Sequence, residues 1–160
     1  MTTAYSVNMK TIRNSILFIA LLLKSMFAHG AIISGDHRFS LNGGLIHLNN
    51  PNQTSFALSA EYEYKLMPIF GIGGQGSYIF ADNAITQLAL PGAYLHPLAG
   101  DWYVSASPVF YLQSGADDRV GARFTTYMPL ALNIMTLTPV FGVDVIKGGP
   151  NYLFGLGLSI

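Results

Sequence analysis

From Ser55 onward the chain alternates polar and apolar residues: Phe56, Leu58, Ala60, Tyr62, Tyr64 and Leu66 share one parity, and Ser55, Ser59, Glu61, Glu63 and Lys65 the other. Strict alternation puts successive side chains on opposite faces of an extended chain, so this stretch predicts a two-faced strand. The same phase returns at Phe70, Ile72, Tyr78 and Phe80, at Trp102, Val104, Ala106, Phe110 and Leu112, and at Tyr152, Phe154, Leu156, Leu158 and Ile160. Between residues 31 and 160 no apolar run approaches the roughly 20 residues of a spanning helix.

Seven turn signals punctuate the runs: Asn49 to Asn52, Met67-Pro68, Asp82-Asn83, Pro97 to Asp101, Gly115 to Asp118, Pro129 to Asn133, and Lys147 to Asn151. They divide the chain into eight strands. Every second turn carries a related motif, Leu66-Met67-Pro68-Ile69, Leu95-His96-Pro97-Leu98 and Tyr127-Met128-Pro129-Leu130, and Ser107-Pro108-Val109-Phe110 returns as Thr138-Pro139-Val140-Phe141. The repeating unit is therefore a hairpin, and an up-and-down antiparallel meander follows. Pro91, Pro108 and Pro139 fall inside strands, where each removes a ladder donor, so bulges or bends are expected there.

Composition changes the picture. Charged residues make up 10% of the chain and hydrophobic ones 51%, whereas an ordinary soluble domain carries about 25% charge. Part of the basic charge sits in residues 1–30, where Lys10 and Arg13 precede the apolar run Ile16 to Leu23 and the small residues Ala28 and Gly30 precede Ala31. A basic end, a short apolar centre and small residues at the cleavage positions predict a signal peptide, beginning at Met1 or Met9, with a domain over 31–160. Removing Lys10, Arg13 and Lys24 leaves five basic against eight acidic side chains, which excludes a basic nucleic-acid surface. With no cysteine, neither a disulfide nor a lipid-bearing cysteine is available.

The remaining charges sort cleanly. Arg38, Glu61, Glu63, Lys65, Arg119, Arg123 and Asp144 fit the more polar strand parity, and Asp36, Asp82, Asp101, Asp117, Asp118 and Lys147 fall in turns or at strand ends. The opposite parity carries none. A soluble barrel needs charge on its outer face, whereas a barrel in lipid excludes it, because Lys or Arg at the bilayer midplane costs about 2–4 kcal/mol. Ten residues at about 3.3 Å rise, tilted by about 40°, give roughly the 25 Å apolar band of such a barrel. An open sheet edge in lipid would leave backbone groups unpaired, so the sheet must close.

With the leader, the hairpin period and the terminal segment Tyr152-Leu153-Phe154-Gly155-Leu156-Gly157-Leu158-Ser159-Ile160, the sequence resembles the small eight-stranded outer-membrane β-barrel family of Gram-negative bacteria over residues 36–160. The resemblance implies an all-β, closed antiparallel barrel that is monomeric and embedded in outer-membrane lipid. It also implies that Tyr152, Phe154, Leu156, Leu158 and Ile160 form the signal read by the outer-membrane assembly machinery; the family's usual last residue is Phe, and here Ile160 stands in its place. Aromatic residues near the two barrel ends would form interfacial girdles: Tyr62, Tyr64, Phe70, Tyr94 and Trp102 at one, Phe56, Tyr78, Phe80, Phe110, Tyr152 and Phe154 at the other.

Hairpin geometry makes the interior partly readable. A turn at Pro68 sets Gln75 opposite Glu61, Gly73 opposite Glu63 and Gly71 opposite Lys65, the glycines making room for longer side chains. A turn between Ala131 and Leu132 sets Asp144 opposite Arg119, and Glu61 can approach Arg123 across the ring. The expectation is a buried ionic network of Glu61, Glu63, Lys65, Arg119, Arg123 and Asp144, with Gln75, Tyr103, Tyr111 and Gln113 on its margin.

Such a network is either a side-chain plug or the lining of a narrow solute, proton or small-ligand path. An eight-strand interior is just wide enough for side chains to fill, which excludes a general diffusion porin. Two other classes of barrel compete with these readings. A soluble periplasmic lipocalin-like binder would turn the apolar parity inward. A lipid A acyl-modifying enzyme would need a Ser nucleophile beside a His base, and His37, His47 and His96 have no Ser two positions away on the same strand face. The three are also widely separated and no Cys accompanies them, so no metal or other cofactor is expected.

Overall fold

The computed structural model describes residues 37–50, 52–81, 83–97, 102–113, 118–132 and 135–159. The predicted leader 1–30, Asp36, Asp82, Asp101, Asp117 and Ile160 lie outside them. The strands are β1 (His37–Leu48), β2 (Gln53–Met67), β3 (Phe70–Phe80), β4 (Ile85–Leu95), β5 (Tyr103–Gln113), β6 (Arg119–Tyr127), β7 (Leu130–Leu132), β8 (Met135–Ile146) and β9 (Gly149–Ser159). Each pairs antiparallel with its neighbours in the order β6-β5-β4-β3-β2-β1-β9-β8-β7, and the additional β6–β8 pairing joins the two ends.

β6 and β7 are one strand interrupted at Met128-Pro129. Both pair with β8 in a single continuous register, Tyr127 opposite Val140 and Leu130 opposite Leu137. Across the gap Met128 N donates to Pro139 O at 3.1 Å. Counted this way the sheet is a closed, eight-stranded, all-β antiparallel barrel. Closure satisfies the backbone groups that an edge would expose.

Ala131 and Leu132, expected to form a turn, are instead paired with Thr136 and Met135. Pro129 interrupts the strand without reversing it, and β7 runs on to Leu132 before the chain turns back into β8 at Met135. The hairpin centre therefore moves two residues along the chain, and every β6–β8 partner moves by four. Arg123 faces Asp144, not Arg119.

The strand prolines behave differently from one another. Along β4, Gln87 and Ala89 point inward, but beyond Leu90-Pro91 the phase inverts and Gly92, Tyr94 and His96 do. The register slips against β3 between Gly73 and Gln75 and against β5 between Ala89 and Ala93. Pro91 lies in this bulge and Pro108 stands in β5 beside the slip, so two missing donors share one irregularity. Pro139 departs from expectation, because β8 pairs with β9 without a break from Thr136 to Ile146. Its carbonyl faces Met128, so the missing N–H faces the same interruption and the ladder to β9 is untouched.

The two faces have opposite chemistry. Leu41, Leu45, Phe56, Leu58, Ile72, Phe80, Phe110, Phe124, Phe141, Leu156 and Leu158 are exposed on the outer wall. Inside are Ser40, Asn42, Ser55, Glu61, Glu63, Gln75, Ser77, Gln87, Ser105, Arg123, Thr125, Thr138, Asp144 and Asn151, all buried. The end of the barrel bearing the β1–β2, β3–β4 and β8–β9 turns is filled instead by aliphatic side chains, Ile46, Leu48, Ile79, Ile85, Val109 and Ile146.

Candidate functional site

Two polar clusters occupy the interior. The first is built on Arg123, which β6 points inward and which is 1% exposed. Its Nε donates to Asp144 Oδ1 at 2.6 Å and one terminal nitrogen to Asp144 Oδ2 at 2.7 Å, a two-pronged pairing across the β6–β8 register. The remaining donors reach across the barrel, Nη1 to Gln75 Oε1 at 2.7 Å and Nη2 to Gln87 Oε1 at 2.8 Å. Each glutamine uses its amide nitrogen in turn, Gln75 to Ser59 at 3.0 Å and Gln87 to Asp144 at 3.3 Å. Tyr111 donates its hydroxyl hydrogen to Asp144 and accepts from Asn151 at 2.8 Å. Asn151 in turn accepts from the Asn49 backbone N–H at 2.9 Å in the β1–β2 turn. This cluster ties β3, β4, β5, β6, β8 and β9 together, with each buried charge met by its opposite and by neutral partners.

The second cluster lies toward the chain-terminus end. Arg38 is opposite Glu63 in the β1–β2 register, and one of its nitrogens is 2.6 Å from Glu63 Oε2 and 3.3 Å from Glu61 Oε1. On the far side of Glu63, His96 Nε2 lies 2.6 Å from Oε1. The guanidinium carbon of Arg38 stands 3.6 Å from the Tyr103 ring centroid. Tyr103 is stacked on Tyr127 at 4.2 Å with an interplanar angle of 11°, and His96 stacks on Tyr103 at 5.1 Å. Gly71 and Gly73 are necessary to this packing: a Cβ at Gly71 would run into the Glu63 carboxylate, and one at Gly73 into the Tyr62 carbonyl.

The network expected from the sequence is thus divided between two centres. Glu61 and Glu63 belong with Arg38, and Arg123 and Asp144 form the other pair; the ion pair that Glu61 makes is with Arg38 rather than with Arg123. Lys65 is half-buried opposite Gly71. Arg119 lies at the edge of the first cluster, its guanidinium carbon 5.3 Å from the Tyr111 ring centroid, and donates to the Asn50 carbonyl at 2.8 Å beside the β1–β2 turn rather than pairing with Asp144. Gln75, Tyr103 and Tyr111 are buried members of the clusters, and Gln113 is half-buried opposite Ile85.

Among the girdle residues, Tyr62, Tyr64, Trp102, Phe80, Phe110 and Tyr152 are exposed on the outside, and Phe70 is half-buried. Tyr94 is a correction: the Pro91 bulge turns it inward, where it is 2% exposed beside Tyr103 and Tyr127. Phe154 faces out from the middle of β9 against Phe141, at 4.9 Å, rather than near a barrel end. Tyr152, Phe154, Leu156 and Leu158 of the expected assembly segment all face outward.

Arg38, Gln87, His96, Tyr127 and Asn151 are cluster members that the sequence reading did not single out. Arg38 was within reach, because a turn centred on Asn50-Pro51 sets it opposite Glu63. The same bulge that turns Tyr94 inward also buries His96. His37 and His47 bond Tyr62 Oη at 2.7 Å and Thr54 Oγ1 at 3.0 Å, so none of the three described histidines is paired with a serine.

A closed eight-stranded barrel with an apolar outer wall and a charged, packed interior is the fold of the small outer-membrane β-barrels. Two solved structures of that class match: Neisserial surface protein A, at 9% identity and a TM-score of 0.57, covering 78% of this chain and 94% of that one, and the N-terminal β-barrel domain of Pseudomonas aeruginosa OprF, at 11% identity and 0.53, covering 76% and 95%. At these identities the likeness is one of fold. The sequence itself matches no protein-family model and no curated protein.

Proposed function

We propose that the protein is an integral outer-membrane β-barrel, monomeric, held in lipid by its apolar outer wall, with an interior closed to general solutes by its own side chains. The observation that carries this reading is the inversion of polarity across the wall. Every Asp, Glu, Lys and Arg within the described strands has the inward parity, while Leu45, Phe124, Phe141 and Leu156 stand exposed outside. A soluble lipocalin-like binder requires the reverse arrangement. The fold neighbours support the location, and residues 1–30 supply a leader suited to export. The outward alternation of Tyr152 to Leu158 suits the assembly machinery.

The plug reading of the interior rests on its filling. The Arg123 cluster spans most of the ring, and the aliphatic layer from Ile46 to Ile146 backs it toward the turn end. The role is then mechanical or ligand-related, and not solute diffusion or acyl transfer.

Membrane fractionation followed by heated and unheated gels tests the location: a detergent-extracted band whose mobility shifts on heating is expected, and a wash-soluble protein without the shift would refute it. Planar-bilayer recording tests the plug. Purified protein is expected to add no steady conductance, and stable open channels would refute closure.

A further inference from the structure

The Arg38 cluster differs from the Arg123 cluster in how its cation is held. Arg123 makes four hydrogen bonds to side chains on β3, β4 and β8. Arg38 makes one, at 3.3 Å to Glu61, with its closer approach to Glu63 as an ion pair. The guanidinium otherwise rests against aromatic rings, with Tyr103 at 3.6 Å and Tyr94 and Tyr127 at 5.8 and 5.9 Å. Two carboxylates and a ring face are what selects a planar cation over a compact ammonium, since the guanidinium can stack and donate in its plane at once.

One further feature marks Arg38 as the removable part. Its side chain is 17% exposed while those of Glu61 and Glu63 are 1% and 0%, so the cation is the member that meets solvent.

We infer that Glu61, Glu63, Tyr94, Tyr103 and Tyr127 form a guanidinium-binding site that the chain fills with its own Arg38, and that the site takes a free alkylguanidinium when Arg38 is withdrawn. This deepens the plugged-barrel reading by giving one half of the plug a ligand chemistry. Because Arg38 is carried on a strand paired with β2, a free ligand must displace a side chain already held in place. A free ligand therefore binds the intact chain weakly and the Arg38-truncated chain well.

The test uses methylguanidinium with full-length protein folded in detergent micelles, matched in ionic strength with sodium chloride. With Arg38→Ala, methylguanidinium is expected to give saturable heat in calorimetry and a saturable rise in the urea midpoint, while methylammonium gives a smaller rise and the wild type little of either. The double variant R38A/E63Q should lose the saturable response. No saturable response in R38A, or an equal one in the wild type or in R38A/E63Q, overturns the site. If R38A does not fold alone, recovery of its heat-shifted band by methylguanidinium supports the site and failure to recover it overturns it. Gel mobility and conductance of the wild type decide the barrel reading separately, so the two can fail independently.

Discussion

Arg123 stands directly opposite Asp144 across the β6–β8 pair, and its two-pronged contact at 2.6 and 2.7 Å is the point on which six strands converge. In an interior with little water, such a pair is stable only while both members are present. Removing one leaves a buried charge without compensation, which costs about 3–5 kcal/mol.

Arg123→Leu is therefore expected to lower the urea midpoint of the folded barrel strongly, and Asp118→Ala, at an exposed position before β6, to leave it unchanged. Adding Asp144→Leu to Arg123→Leu should recover much of the loss, because the orphaned carboxylate goes with its partner. Equal midpoints for Arg123→Leu and Asp118→Ala would place Arg123 in water.

The glycines of β3 give a second comparison. A Cβ at Gly73 would collide with the Tyr62 carbonyl, which is backbone and cannot swing away, whereas one at Gly76 would meet only Leu88 at 3.8 Å. Gly73→Ala should destabilise by about 1–3 kcal/mol, the usual cost of overpacking. Gly76→Ala should be neutral or slightly stabilising by restricting the unfolded chain. Urea titration of both variants in the same micelles measures the difference.

Phe124 and Val120 both face outward on β6, Phe124 near the middle of the wall and Val120 beside the turn end. If lipid surrounds the wall, Phe124→Arg costs about 2–4 kcal/mol and Val120→Arg about 0–1 kcal/mol. Reversible folding into vesicles reads both. Equal small penalties would show that water, not lipid, touches the barrel.

Trp102 is the only tryptophan and lies exposed just before β5. Its place at the chain-terminus end predicts an interfacial depth. Lipids brominated near the headgroup should quench its fluorescence more than lipids brominated near the chain ends. The reverse order would put this end of the barrel at the wrong depth.

The hairpin at Pro68 illustrates what could be read without a structure. A tight turn and a two-residue period fix the partners on both sides, so Gln75 falls opposite Glu61 and Gly73 opposite Glu63 both by sequence and in the fold. The hairpin after β7 illustrates the opposite case. Pro129 has the same local motif as Pro68, yet the strand resumes beyond it because β8 offers a continuous register. A local motif cannot report whether a neighbouring strand will carry the chain past an interruption.

The sequence by itself determined which face of each strand is apolar, the number of hairpins and the need for closure. Those follow from parity and from the cost of unpaired backbone in lipid, and both are local properties of the chain. Tertiary structure decided which charges meet. The pairing of Arg123 with Asp144 depends on where β7 ends, and the inward turn of Tyr94 and His96 depends on one extra residue at Pro91. A single residue of slip reverses every side chain beyond it, so the interior is set by a few irregularities in register that the alternating pattern does not record.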